Sequence, residues 1–331
     1  MLRKKLGFLL LVIVFLGVPL FSFADDNGQG QLGLGLKEPT KEEMRAFRLK
    51  HKRITQVKYF TALGKQRVDA ARSKKKYFEL EDVIPVPIGK DIESSYGEAS
   101  DSGVPASANE ELMGVLPVEV DNSKTVYFPP IRSQGGIGSC VAWATGYYQH
   151  TYMNAITNTL TVNTGDDVKI SSPKWIYNMI NGGSDSGSYF SDNYSVLAQH
   201  GAAKWSEFPY DGDYRAWCLN ASTWRNAIST RANPVQYVYN VNTDTGLTQI
   251  KELLTNGYIL VYGTYINSWQ FTTIKNDSAD TADDPYVGKP IAYWLNGTNG
   301  AHGMTIVGYS DAIWTDVNNN GVVDAGEKGA L

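Results

Sequence analysis

Apolar residues are spaced in two ways along this chain, and the change from one to the other predicts its architecture. Residues 6–21 form a short apolar run behind Arg3, Lys4 and Lys5 and ahead of Ser22, Phe23 and Ala24. A basic start, an apolar core and a small-x-small ending have the form of a secretory signal peptide, with cleavage expected after Ala24. Gly17 and Pro19 interrupt a run already short for a membrane span, so no stable membrane anchor is expected after cleavage. Further on, Met44, Phe47, Leu49, Ile54, Val57, Phe60 and Leu63 recur at loosely helical spacing. Residues 90–111 are rich in Ser, Gly, Ala and Glu and read as a flexible linker. Beyond it, helices are expected over 140 to about 156, 172 to about 180 and 193–200, followed by strands at 235–241, 258–265 and 303–309. Helices first and strands second predict an α+β arrangement with a cleft between two lobes.

The candidate chemistry lies where the first of those helices begins, in the run Gln134-Gly-Gly-Ile-Gly-Ser-Cys140-Val-Ala-Trp-Ala. A lone cysteine is ordinarily an inert core residue. Here an amide side chain stands six residues before it, across a glycine-rich turn, and a helix starts at the sulfur. A helix N-terminus favours the thiolate, which is the nucleophilic form. Gly135, Gly136 and Gly138 permit a tight turn that aims Gln134 at a developing oxyanion, and Ser139 is a candidate N-cap. A cleft with the nucleophile on one wall needs its general base on the other. Of the four histidines, His51 lies in the basic N-terminal segment, and His150 is about 15 Å down the same helix at ~1.5 Å per residue. His200 suits a structural role at a helix end beside Gly201. His302, in a turn of small residues leading into an apolar strand, is the candidate acid and base.

These residues resemble the active-site run of the papain-like cysteine peptidases, Gln-x-x-x-Gly-Ser-Cys-x-Ala-(Trp/Phe)-Ala. Pro129-Pro130-Ile131-Arg132, Ser171-Ser172-Pro173-Lys174-Trp175, Ala198-Gln199-His200-Gly201 with Phe208-Pro209-Tyr210, and His302-Gly303-Met304-Thr305-Ile306-Val307-Gly308-Tyr309 are similar to further family blocks in the family's order. The likeness covers residues 116–331. It implies a helical lobe facing an antiparallel, barrel-like strand lobe. It also implies Cys140 as nucleophile, Gln134 with the Cys140 backbone N–H as oxyanion donors, and His302 as base. Counting back from Ala198-Gln199-His200-Gly201 places Gly187 and Ser188 where the family holds substrate backbone. Gly182-Gly183 is a rival match, and both pairs also read as ordinary loop positions. Residues 276–298 look like an insertion. The family's orienting asparagine, in an Asn-Ser-Trp-Gly strand, has no match: Asn296, Asn299 and residues 318–320 stand in other contexts. The ending Gly329-Ala330-Leu331 reads like the start of that strand, so a C-terminally truncated sequence is expected, with a degenerate member as the alternative.

Charge adds a regulatory expectation. Residues 37–76 carry fourteen Lys and Arg against four acids, whereas residues from 116 onward carry twelve against nineteen. Such a basic amphipathic stretch commonly marks nucleic acid or membrane surface. The resemblance implies instead an inhibitory propeptide, 25–115, docking on the acidic domain by electrostatic complementarity. A solvated tether without inhibitory role is the other reading, and no nucleic acid is expected as partner. Only two cysteines are present, so the domain is expected to rest on its core and not on disulfides. Ile137 stands where many family members have a bridging cysteine, and Cys218 resembles a bridging cysteine without its partner.

A second motif is independent of the first. Asp316, Asn318, Asn320, Gly321 and Glu327 fill every fixed position of the calcium-loop template D-x-[DN]-x-[DN]-G-x₅-E, and Asp324 adds a carboxylate at its ninth position. Oxygen donors from those side chains and the Val322 carbonyl suit calcium, and Val323 is the expected apolar anchor. The alternative is a generic Asn/Gly-rich turn. The function expected is therefore an exported cysteine endopeptidase made as a zymogen, secreted or periplasmic, acting on peptides and braced by structural calcium. A papain-fold binding module that has lost catalysis, and a Cys–His amidase or cell-wall hydrolase, are the competing classes.

Overall fold

The computed structural model describes residues 34–54, 57, 60–79, 115–232, 235–239 and 241–331. The expected signal peptide and the 90–111 linker lie outside the described residues. In chain order the elements are α1 (Lys41–Lys50), β1 (Lys52–Ile54), α2 (Ala62–Ser73), β2 (Tyr77–Glu79), β3 (Val115–Pro117) and β4 (Glu119–Asp121). Next comes α3 (Cys140–Ala142), which widens into a π-helical stretch (Trp143–His150) and continues as α4 (Thr151–Asn158). Then follow α5 (Pro173–Ile180), α6 (Phe190–His200), α7 (Ala221–Ile228), β5 (Gln236–Val238), α8 (Asp244–Thr255), β6 (Leu260–Tyr265) and β7 (Trp269–Thr273). The chain closes with β8 (Pro290–Leu295), β9 (Ala301–Ile306), β10 (Gly308–Trp314) and β11 (Lys328–Ala330).

The fold is α+β, with the apolar interior divided between the two halves. Trp175, Ile176, Tyr177, Leu197 and Ala203 make one core among the helices. Val120, Ile250, Leu254, Ile306, Tyr309 and Leu331 make another where α8 covers the strands. Helix α5 starts as its sequence dictates: the Ser172 side chain accepts the Trp175 N–H, and Pro173 occupies the first turn. Gly146 lets the π-helical stretch approach α5, since a β-carbon there would meet Ile176 Cδ1 at 2.1 Å.

The strands form several small sheets instead of one closed barrel. β6 pairs antiparallel with β9, and β7 with β8. β10 lies between β4 and β11, antiparallel to both. The single strand expected at 303–309 is in fact two, because the chain leaves β6 after Ile306 and Gly308 takes up β4 as its new partner. Residues 276–298 are not a bare excursion, since β8 falls within them and completes a hairpin with β7.

The N-terminal segment is woven into this framework. β1 pairs parallel with β5, and β2 pairs antiparallel with β3. Between them α2 buries Gly64, Val68 and Ala71. The Arg67 guanidinium donates to the carbonyls of Leu254 (2.8 Å) and Thr255 (3.0 Å) at the end of α8, and to Asn122 Oδ1 (2.7 Å). The Thr61 N–H and hydroxyl both bond Asn256. Arg48 and Arg53 lie over the Tyr239 ring. Arg48, Arg53 and Arg67 of this segment thus act on helix-end carbonyls and aromatic faces.

Candidate active site

Cys140 opens α3 with its side chain 1 % exposed. Its sulfur accepts the Gly303 N–H at 3.3 Å. That contact joins the helix start to β9, one residue after His302. Gly303 suits so close an approach, because a β-carbon would meet Val141 Cα at a tight 3.1 Å. His302 is paired in register with Thr264 of β6. Its Nδ1 is buried without a hydrogen-bond partner, and burial lowers its pKa.

Burial raises the Cys140 thiol, against backbone N–H groups of Gly303 and Gly35 that favour the thiolate. The helix start alone was expected to lower this pKa. Desolvation dominates here because the sulfur is covered. Thiol and imidazole are therefore both held toward their neutral forms.

The Gln134-to-Cys140 turn is fixed from several sides. Gly135 has φ +64°, and the Gln134 side-chain amide donates to the Ile137 carbonyl at 3.0 Å. The Tyr210 hydroxyl donates to the Gln134 carbonyl (2.7 Å) and takes the Ser139 hydroxyl (2.7 Å). Ser139 is consequently no side-chain cap, since its oxygen is turned to Tyr210 and away from the helix N–H groups. Asp185 was not singled out by the sequence. Its carboxylate accepts the Gly138 N–H at 2.8 Å and the Tyr177 hydroxyl at 2.6 Å, while that hydroxyl takes the Gly187 N–H at 3.2 Å. This chain of bonds ties the cysteine turn to the loop holding Gly187 and Ser188. Nothing local in the sequence marks an aspartate in a Ser/Gly loop for such a role.

A peptide already lies in this cleft, and it is the chain's own. The Ser188 N–H donates to Gly35 O at 2.8 Å, the Lys37 N–H to Ser188 O at 3.0 Å, and the Leu36 N–H to Ala301 O at 3.4 Å. Residues 34–37 thus bridge the helical wall at Ser188 and the strand wall at Ala301, with Leu36 in a parallel bridge to Ser188. Two glycines make the approach possible. A β-carbon on Gly35 would fall 1.8 Å from Gly138 O, and one on Gly187 (φ +79°) 2.3 Å from Gly35 O. Leu36 Cδ2 packs on Gly263, 2.6 Å from where a β-carbon would stand. The rival Gly182 and Gly183 are turn residues at positive φ with open space beside them.

The other histidines and Cys218 stand elsewhere. His150 is buried, bonded through Nδ1 to the Ser171 hydroxyl and through Nε2 to the Thr230 carbonyl. His200 ends α6. Cys140 and Cys218 are both free thiols.

The calcium-template loop joins β10 to β11. Asp316 accepts the N–H groups of Asn320 and Gly321, with Asn319 at φ +57° and Gly321 at φ +74°. The amides of Asn318 (2.6 Å) and Asn320 (2.8 Å) converge on Asp324 Oδ2. The Oδ1 atoms of the same two amides are turned the other way, Asn318's accepting the Asn320 N–H (3.0 Å) and Asn320's the Val322 N–H (2.8 Å). Glu327 is engaged otherwise, accepting N–H groups from Val317, Asn318, Asp324 and the Trp314 indole. No three acidic, His or Cys side chains among the described residues converge as a metal centre. A cation here would draw largely on amide and main-chain oxygen. Val323, the expected apolar anchor, is 39 % exposed in this loop between two strands.

Comparisons with known proteins give the following. No family model matches the chain, and no curated protein does. Among solved structures, xylellain, a cysteine protease from Xylella fastidiosa, is 20 % identical over 65 % of this chain and 80 % of its own, with a TM-score of 0.40. Digestive procathepsin L 3 of the Tenebrio molitor larval midgut is 15 % identical over 83 % and 86 %, with a TM-score of 0.37. A recombinant stem bromelain precursor is 14 % identical over 59 % and 55 %, with a TM-score of 0.40.

Proposed function

We propose that this chain is an exported, papain-like cysteine endopeptidase made in a self-covered form. The observation that carries the reading is the contact of Cys140 at a helix start with the strand of His302, in a cleft whose walls bind a peptide backbone. In the open enzyme the Cys140 thiolate attacks a peptide carbonyl, and His302 delivers its proton to the leaving amine. Water then cleaves the thioester, with His302 taking its proton. The oxyanion rests on the Cys140 N–H and on the Gln134 amide, which turns from Ile137 O to reach it. Gly187 and Ser188 hold substrate backbone as Ser188 holds residues 35 and 37. Export rests on the N-terminal run alone.

A mechanism-based epoxide that alkylates thiols tests this reading. The expected result is a single adduct on Cys140 with parallel loss of peptide hydrolysis, both absent in Cys140→Ala. A partnerless Nδ1 on His302 favours one second reading, a papain-fold binding module without turnover. An adduct on Cys140 in a protein that binds peptides but never cleaves them would establish that alternative.

The loop from Asp316 to Glu327 is proposed to hold structural calcium, through Asp316, Asn318, Asn320, Asp324 and the Val322 carbonyl, with Glu327 exchanging N–H donors for the ion. Bound calcium would stiffen the connection between β10 and β11. Tm is expected to rise with calcium at a hundred times its Kd, by the equivalent of about 2.7 kcal/mol. Equal Tm in calcium and in chelator excludes the ion.

A further inference from the structure

The N-terminal segment contacts the rest of the molecule in two unlike ways. Residues 34–37 fill the cleft with three backbone hydrogen bonds and one leucine side chain. Residues 52–79 instead supply two strand pairings, the buried face of α2 and the Arg67 contacts at the α8 terminus. Val68 is 1 % exposed. Between these two parts stands α1, which buries no residue and faces the body across a cavity of about 2490 Å³. The stretch entering α1 is open to solvent: Glu38, Pro39 and Thr40 are all exposed.

We infer that only residues up to Lys37 are the inhibitor, and that activation is one proteolytic cut between Lys37 and Lys41, leaving 52–79 as a permanent part of the enzyme. The inference rests on the peptidase reading for what the cleft does, though not for who can enter it. The cut is made in trans by a peptidase. One water molecule is consumed, the N-terminal piece leaves with a new carboxylate, and the retained chain begins with a new ammonium.

The cut acts by removing a tether. While attached, residues 34–37 meet the cleft at an effective concentration of roughly a millimolar, so even weak contacts keep it closed. Once severed, the same short peptide is diluted away. A cut in 80–114 has no such effect. It lies on the far side of the α2 and β2 anchors, which continue to hold residues 34–37 in place. This reverses the sense of the expected propeptide, in which the whole of 25–115 departs.

Two full-length variants decide the matter. One carries the recognition sequence of a highly specific protease in place of Glu38-Pro39-Thr40, the other carries it at residues 98–104. The readouts are the iodoacetamide labelling rate of Cys140 and the fragments that co-elute on gel filtration. Cutting at 38–40 is expected to raise labelling roughly 10²-fold with 41–331 remaining one chain. Cutting at 98–104 is expected to leave labelling unchanged, with both pieces co-eluting. An equal rise from the second cut, separation of 41–79 from the body, or failure of the protease to reach 38–40 each overturns the inference. Gly35→Leu supplies an uncut control: its side chain collides with Gly138 O, and labelling should rise without any cleavage. If labelling rises as expected yet no peptide is hydrolysed, the cleft inference stands and the peptidase reading falls.

Discussion

In enzyme opened at the N-terminus, Cys140→Ala and His302→Ala are each expected to lower the kcat for peptide hydrolysis by roughly 10⁶, and the double variant by no more than the worse single one. Nucleophile and base act as one unit, so removing either removes the step. Additive losses would mean that the two residues act independently and would exclude the proposed pair. The pH dependence follows from the same contacts. Burial raises the Cys140 thiol and lowers the His302 imidazolium, so the covered form prefers both groups neutral. A raised thiol pKa stabilises the covered form at low pH and loses that contribution as pH rises through it. A lowered imidazole pKa stabilises it at high pH and loses that contribution as pH falls through it. The covered form is thus favoured between the two values, and opening should widen the range over which Cys140 is alkylated.

Arg67→Ala is expected to cost about 2–4 kcal/mol of unfolding free energy, measured as a shift in urea midpoint. Three acceptors lose a charged donor at once: the Leu254 and Thr255 carbonyls and Asn122 Oδ1. Asn122 is fully buried and shares its oxygen with the Tyr152 hydroxyl, so its network loosens too. Lys65→Ala, on the same helix but in an exposed pair with Asp69, should stay within about 0.5 kcal/mol. If both variants behave alike, α2 is a loosely held appendage and its anchoring role is excluded.

How far the sequence could be read depended on whether a residue's role is set locally. Ser172-Pro173 marks a helix start by its own chemistry, and the helix begins there. Helix α8 carries equally local signals, since Thr243 caps Gly246 and Leu247, Ile250 and Leu254 recur at helical spacing. The break at Val307 left no local mark, since an uninterrupted apolar run serves one long strand or two that change partners. Asp185 and the residues 34–37 lay beyond reach for the same reason. Their partners, Gly138, Ser188 and Ala301, are brought to them only by the folded chain. The cysteine run and the His302 turn stood out because their chemistry is written within a few residues.

The sulfur of Cys140 also sits where two separately packed interiors meet. Its helix belongs to the core of Trp175 and Leu197, while β9 belongs through Ile306 to the core of Leu254 and Tyr309. The bond from the Gly303 N–H to that sulfur crosses the seam. The Thr305 hydroxyl, bonded to the Ala144 carbonyl, crosses the same seam, so any parting of the two halves would act on the sulfur's contact directly. The nucleophile is placed as a strain gauge: its rate of reaction with small alkylating agents is expected to rise with the fraction of molecules in which that seam is open.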